Sequence, residues 1–282
     1  MTPVLLSVAA FLCVGLSLAF HPTIHQSTTR RDLHLSAESR RSFLVGSTAA
    51  VLSGLWSPVL PAVAAQQDEE LVEVYFGQGC FWHVQHELAE AERKILGRSG
   101  SELTARAGYA GGRDGAQNGK VCYHNAANVA YYGKLGHAEV VSLKIPPSKF
   151  KEFAKEYAKL FEKGMRPDQL GDRGLEYRNL VGLKGGANSP LVKDLIEASK
   201  EMGDELDFAM GKGSDGDVPR LVWIMDTDKY PFYIGEAYHQ FHDGFKIGEN
   251  YPGSYNNLIQ KFANEDFGGC PTGQLGLGVG GL

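Results

Sequence analysis

The feature that most constrains this chain is a short stretch in which an apolar run, Leu71 to Phe76, passes through Gly77-Gln78-Gly79 to Cys80 and then into a helical stripe. The run is apolar and β-branched and is bounded by glycines, which reads as a strand. From Phe81, apolar residues recur at Val84, Leu88, Ala91 and Ile95 and stop before Gly97, the spacing of one face of a helix. Cys80 therefore stands where a strand turns into a helix. A thiol in that place faces unpaired backbone N–H groups and the positive end of the helix dipole, both of which favour thiolate. Taken alone, the same cysteine is more simply a small buried hydrophobe.

The rest of the body alternates in the same way. His137 to Ile145 reads as a half-buried strand with Glu139, Val141, Leu143 and Ile145 on one face and Ser142 and Lys144 on the other. Ser148 is placed to cap a helix carrying Phe150, Phe153, Tyr157, Leu160 and Phe161, ended by Gly164. Ser189-Pro190 opens another, with Leu191, Leu195, Ile196 and Met202 inward. Leu221 to Met225 is a continuous apolar run, the mark of a strand covered on both sides. This order predicts a two-layer α/β domain. Gly108-Tyr109-Ala110-Gly111-Gly112 and the tail from Gly268 to Leu282 lack periodic apolar residues and read as loops.

The first 65 of the 282 residues read as an address rather than a fold. Val4 to Phe20 resembles a secretory signal core, and His21 to Arg41 is rich in Ser, Thr, His and Arg like a transit peptide. Ser39-Arg40-Arg41-Ser42-Phe43-Leu44 then introduces a second apolar run that closes in Ala62-Val63-Ala64-Ala65, as in a twin-arginine export signal. Three stacked addresses resemble the leaders of algae whose plastids lie within the secretory system, with the thylakoid lumen as the last stop. A secreted protein, or one anchored by residues 43 to 63, is the alternative. On this reading residues 66–282 form one domain whose tail is mobile from about residue 265.

The charge balance points the same way. A formal net charge of -5, with four Arg against Asp32 and Glu38 in the leader, leaves the body at -7. An acidic body argues against nucleic acid as a partner. Of Cys13, Cys80, Cys122 and Cys270, the first lies in the leader. An odd number of remaining cysteines without a Cys-x-x-Cys pair fits neither a disulfide scaffold nor a four-ligand zinc site, so at least one thiol stays free for chemistry.

Five motifs in fixed order carry a resemblance. Gly79-Cys80-Phe81-Trp82 is followed by Gly108-Tyr109-x-Gly111-Gly112, by Gly136-His137-Ala138-Glu139-Val140, by Asp172-x-Gly174-x-x-Tyr177-Arg178, and by Tyr238-His239-Gln240. Together they resemble the A-type peptide methionine sulfoxide reductases and span the body almost completely. The resemblance implies a two-layer α+β sandwich around a central mixed sheet, ferredoxin-like in type, followed by a glycine-rich tail. It implies reduction of methionine S-sulfoxide in oxidised proteins, with Cys80 attacking the sulfoxide sulfur and Phe81 and Trp82 forming an apolar pocket for the methyl group. A sulfoxide has a polar S–O bond and a bare methyl, so its site must be apolar on one side only.

Glu139 takes on a role here from its own position. On an apolar strand face burial raises its pKa, so that it holds a proton at neutral pH and can give it to the leaving oxygen. The resemblance assigns the matching glutamate that task, and a salt bridge to Lys134 or Arg178 is the alternative. By the same resemblance Tyr177, Asp172 and Tyr123 would complete the oxygen site, phenols being neutral donors suited to an oxygen that gains charge. Tyr123 matches the family spacing less closely, and Tyr131 or Tyr132 could take its place. The chain departs from the family at His83, Gln85 and Glu176.

Sulfoxide reduction leaves Cys80 as a sulfenic acid, which a second thiol condenses to a disulfide. The resemblance places that resolving cysteine on the glycine-rich tail, which is Cys270; Cys122 is the competitor. A thioredoxin-like dithiol would then reduce the disulfide, so the reading calls for a monomer with no bound cofactor and no metal. Two other chemistries use the same residues. A cysteine hydrolase would pair Cys80 with His137, His239 or His242, and a metal-binding protein would use His83, His86 and Glu87 with Cys80.

Overall fold

The computed structural model describes residues 69–203, 206–243 and 251–271. The chain divides into two units, Met1–Ala62 and Val63–Leu282. The address reading of the leader and the last eleven residues of the glycine-rich tail, 272–282, lie outside the described residues, all of which belong to the second unit.

Seven strands form one mixed sheet. They are β1 (Val72–Gly77), β2 (Arg106–Ala110), β3 (Ala138–Ile145), β4 (Leu180–Leu183), β5 (Asp207–Met210), β6 (Leu221–Asp226) and β7 (Tyr233–Ile234). Their order across the sheet is β5-β6-β4-β1-β3-β2-β7. The pairs β1–β3, β1–β4, β2–β3 and β2–β7 are antiparallel, whereas β4–β6 and β5–β6 are parallel. β1 is central, so the turn after it emerges from the middle of the sheet.

Strand alternation divides the side chains between two faces. Val74 and Phe76 of β1 join Val141, Leu143 and Ile145 of β3 in the main core. That core also takes Val84 and Leu88 from α1 (Phe81–Leu96), Phe150, Phe153 and Tyr157 from α2 (Phe150–Ala158), and Leu195 and Ala198 from α3 (Val192–Met202). The opposite face carries Tyr75, Val140, Leu180, Met225 and the partly buried Trp223, with Tyr230 and Phe232 packed against them rather than a helix. The helices thus lie on one face of a mixed sheet, the two-layer arrangement the sequence predicts.

Local signals hold unevenly. α1 begins and ends where the apolar spacing places it. Ser148 does not cap α2, because its N–H and hydroxyl both bond Glu69, and the helix opens at Phe150 after a short 3-10 turn. α2 ends at Ala158, so Leu160 and Phe161 join the core from beyond it. Met202, expected inward on α3, is exposed, while Ala198 and Ser199 take the buried stripe. The larger correction is Gly108-Tyr109-Ala110, read as loop and found in β2. Its glycine is required by close approach, since a Cβ at Gly108 would lie 2.2 Å from the carbonyl oxygen of Tyr233 on β7.

That contact is with backbone, which cannot swing away. Gly108→Val is therefore expected to lower stability by about 2–3 kcal/mol. A urea midpoint equal to that of the parent chain would show that β2 and β7 are not packed this closely.

Candidate active site

The turn carrying Cys80 is fixed from several sides. The hydroxyl of Tyr157 donates to the carbonyl of Gly77 at 3.0 Å, and the Gln78 side chain donates to the carbonyl of Leu160 at 2.8 Å. The N–H of Gly79 donates to the carbonyl of Tyr177 at 3.0 Å. Gln169, buried beside the turn, donates to the carbonyl of Gln78 at 3.1 Å and accepts the N–H of Cys80. Gly79 has φ +61, and a Cβ there would meet the Gln169 amide at 2.0 Å, so only glycine suits both the backbone and the space. Cys80 is then the extended residue that precedes α1, and it retains partial exposure.

The first N–H of α1 points at Glu139. Phe81 donates to Glu139 Oε2 at 3.0 Å, and the Tyr132 hydroxyl donates to Oε1 at 3.0 Å. Glu139 is 2% exposed. Burial drives its pKa up to about 8; the two donors pull the other way, and the nearby Asp172 and Glu176 push it further up. At neutral pH it is a carboxylic acid with a proton to give. The salt-bridge alternative is not realised, since Lys134 bonds Asn128 and Arg178 donates only to the carbonyls of Leu175, Gly111 and Gly136.

Burial and, next, the charge of Glu139 raise the Cys80 thiol well above its ordinary range, while the N–H groups of Trp82 and His83 act to lower it. The helix start supplies the donors that the sequence predicts, and desolvation outweighs them.

Around this pair stand four tyrosines. Tyr132 is buried and bonded to Glu139. Tyr123 stacks on Tyr132 at 5.7 Å and lies 4.4 Å from the His239 ring, centre to centre. Tyr177 is half-buried and senses both Glu139 and Cys80. Burial raises the pKa of all three, with Glu139 the second cause, so they remain neutral O–H donors. Tyr131 instead donates to Glu176, which gives the departure from the family glutamine a partner. Asp172 is raised by burial and acts on Cys80, Glu139 and Tyr177.

The two aromatics after Cys80 differ. Phe81 is fully buried against Tyr109 and His239, whereas Trp82 is half-buried and packs 4.1 Å from the His242 ring and 6.2 Å from that of Tyr238. Gln85 is buried and joins α1 to the Tyr238-His239-Gln240 segment, donating to Gln240 at 3.1 Å and accepting the N–H of Phe241 at 2.6 Å. His86 stacks on Tyr251 at 3.8 Å and bonds Glu87, away from metal-ligand geometry with Cys80. His137 commits its two nitrogens to the N–H of Gly112 and the carbonyl of Gly115, with burial lowering its pKa to about 4.

The other cysteines are joined. Cys122 and Cys270 form a disulfide with S–S 2.00 Å and Cα–Cα 5.7 Å, and Cys80 is the free thiol among the described residues. Cys122, the alternative resolving cysteine, is thus bonded to Cys270. The tail, expected to be mobile from about residue 265, is anchored at least to Cys270. Glu265 pairs with Arg106 at 2.8 Å, and Lys120 donates to the carbonyl of Gly269.

Sequence reasoning missed Gln169 and Glu236, and it named Arg178 without its role. Arg178 ties the end of β2 to the approach to β3 through Gly111 and Gly136. Glu236 accepts the Tyr109 hydroxyl at 2.7 Å and the N–H of Tyr123 at 2.8 Å. Its position two residues before the Tyr238-His239-Gln240 motif was the available signal.

A reduced cysteine beside a protonated carboxylic acid, with a separate disulfide near it, defines a thiol-based redox protein. The chain is 30% identical over 175 residues to a peptide methionine sulfoxide reductase of Pseudomonas aeruginosa (strain UCBPP-PA14), covering 60% of this chain and 67% of that one. It is 27% identical over 176 residues to the reductase of Geobacter metallireducens, covering 61% and 89%. No family model matches. Among solved structures, Mxr1 of Saccharomyces cerevisiae in reduced form aligns with 66% of this chain and 91% of its own at 19% identity and TM-score 0.39. Methionine sulfoxide reductase A of Corynebacterium diphtheriae aligns with 77% and 85% at 16% identity and TM-score 0.35. On the sequence relatives, the chain belongs to the peptide methionine sulfoxide reductase A family.

The coupling of Cys80 to Glu139 has a pH signature. Below about pH 8 Glu139 is neutral and exerts no charge on the thiol; above it the carboxylate suppresses the thiolate. Glu139→Gln should therefore alkylate at Cys80 faster than the parent only on the alkaline side, by up to about tenfold. Equal iodoacetamide rates across the range would separate the two groups.

Proposed function

We propose that this protein reduces methionine S-sulfoxide in oxidised proteins, using Cys80 as nucleophile and Glu139 as the acid. The observation that carries the reading is the buried Glu139 carboxyl, held by the Phe81 N–H and the Tyr132 hydroxyl one residue from the free thiol. Cys80 Sγ bonds to the sulfoxide sulfur as the S–O bond breaks, the oxygen taking the thiol proton and the proton of Glu139 and leaving as water. A water then attacks Cys80 Sγ, the S–S bond breaks to release methionine, and the proton set free returns to Glu139. Tyr132, Tyr123 and Tyr177 are neutral donors toward an oxygen that gains charge. Half-buried Trp82 is the aromatic wall for the methyl group, with Phe81 backing it from the core.

The products are methionine and Cys80 sulfenic acid. The Cys122–Cys270 disulfide supports a second stage in which one thiol of that pair condenses with the sulfenic acid, releasing water, and the other displaces Cys80 as a thiol. The oxidising equivalent then rests on Cys122–Cys270, away from the substrate site, where an external dithiol of the thioredoxin kind reduces it. This chemistry asks for no bound cofactor. A leader with secretory, transit and twin-arginine segments supports a working place in a plastid lumen.

Glu139→Gln should slow turnover of a methionine sulfoxide peptide by about 10²–10⁴-fold, the usual worth of a positioned acid. The parent is expected to lose kcat/KM above about pH 8, where Glu139 loses its proton, and the variant should lack that fall. An unchanged alkaline limb would assign the proton to another group. Cys80→Ser should abolish reduction. The Cys122→Ser/Cys270→Ser double variant should retain one turnover per enzyme and then hold a sulfenic acid that dimedone labels; steady cycling with thioredoxin would remove the pair from the relay.

A further inference from the structure

Glu236 brings a carboxylate to the disulfide. One of its oxygens and the sulfurs of Cys122 and Cys270 all lie within 4.8 Å of one another. Among the described residues its charge meets no cation close by. Its ion-pair contact is with the imidazole of His239, Nε2 lying at 3.9 Å. The donors on Glu236 are the Tyr109 hydroxyl and the Tyr123 N–H, which orient the carboxylate as outer partners orient a metal ligand. Each oxygen keeps a further lone pair.

We propose that reduction of the disulfide opens a site for a thiophilic divalent cation such as zinc, with Cys122 Sγ, Cys270 Sγ and Glu236 as protein ligands and a fourth position open to water. Two thiolates and a carboxylate are a known zinc-type donor set, and a tetrahedral ion with Zn–S of about 2.3 Å holds its ligands about 3.6–3.8 Å apart. The disulfide at 2.00 Å must therefore open by less than 2 Å, inside the present spread of the three groups. Cys122 is 1% exposed and fixed beside Tyr123, so the movement falls to Cys270, which comes after Gly268 and Gly269 on the half-exposed tail.

The chemistry balances. A dithiol reduces Cys122–Cys270 to two thiols and is itself oxidised; the metal then displaces one proton from each thiol and binds both thiolates. Two thiolates beside a carboxylate repel one another in a partly buried place, and a divalent cation relieves that repulsion. Occupation withholds both thiols from exchange, so the metal and the disulfide exclude each other. The site does not depend on sulfoxide chemistry and stands whether or not Cys80 acts on methionine sulfoxide.

Cobalt(II) is the probe, because thiolate coordination gives it charge-transfer bands and a tetrahedral field intensifies its visible spectrum. The reduced full chain, freed of reductant without oxygen, should bind one cobalt with that spectrum, and zinc should displace it. The same chain with its disulfide intact should show neither band. The Cys13→Ser/Cys80→Ser double variant should keep the spectrum. Cys270→Ser should lose it, and Glu236→Gln should weaken binding by about tenfold or more. Identical cobalt spectra for the oxidised and reduced parent chain, which needs no variant to fold, would overturn the proposal. Loss of the spectrum in the Cys13→Ser/Cys80→Ser protein would overturn it as well.

Discussion

A single buried carboxyl, Glu139, is the interaction on which the site depends. Removing a carboxylate from water is costly unless it is protonated or hydrogen-bonded, and here both occur. The Phe81 N–H ties it to the start of the nucleophile's helix and the Tyr132 hydroxyl ties it to the loop between β2 and β3. Its neighbours on the strand face, Val141, Leu143 and Ile145, belong to the main core. The packing that stabilises the sheet therefore also sets the proton affinity of the acid. Across the sheet Glu139 is paired with Tyr109, whose hydroxyl passes on to Glu236 beside the Cys122–Cys270 disulfide. The free thiol and the disulfide are thus linked by one strand pairing and one phenol.

The site gathers acids around its thiol. Burial first, and then Asp172 and Glu176, raise Glu139; burial first, and then Glu139, raises Cys80 and three tyrosines. Arg178 is fully buried close by, yet its donors go to backbone carbonyls. Such an arrangement keeps acid, thiol and phenols protonated together at neutral pH. That suits a neutral, strongly dipolar substrate whose oxygen must collect protons as its bond to sulfur breaks.

Long periodic segments were legible. β1, α1, β3 and β6 follow from apolar spacing, and the alternation of β3 alone was enough to aim Glu139 at the core. Shorter strands were not. β2 contains a glycine that reads as a breaker until the approach of Tyr233 is known, and β4 and β5 are only four residues long. The tyrosine that bonds Glu139 was left open among Tyr123, Tyr131 and Tyr132 for a physical reason. That loop folds back on itself through bonds between Cys122 and the backbone of Ala130 and Tyr132, which sets Tyr123 beside Tyr132. Nothing local in the sequence encodes that pairing. The cysteines show the same limit, since the Cys122–Cys270 bond spans 148 residues.

The central claim is that Glu139 holds its proton at neutral pH beside a free Cys80. Infrared difference spectroscopy of the parent against Glu139→Gln, titrated through the neutral and alkaline range, reads that proton directly. A protonated carboxyl stretch is expected at neutral pH, absent from the variant and lost with a midpoint near pH 8. A carboxylate signal already complete at neutral pH, with its midpoint in the ordinary glutamate range of about 4.3, would contradict it.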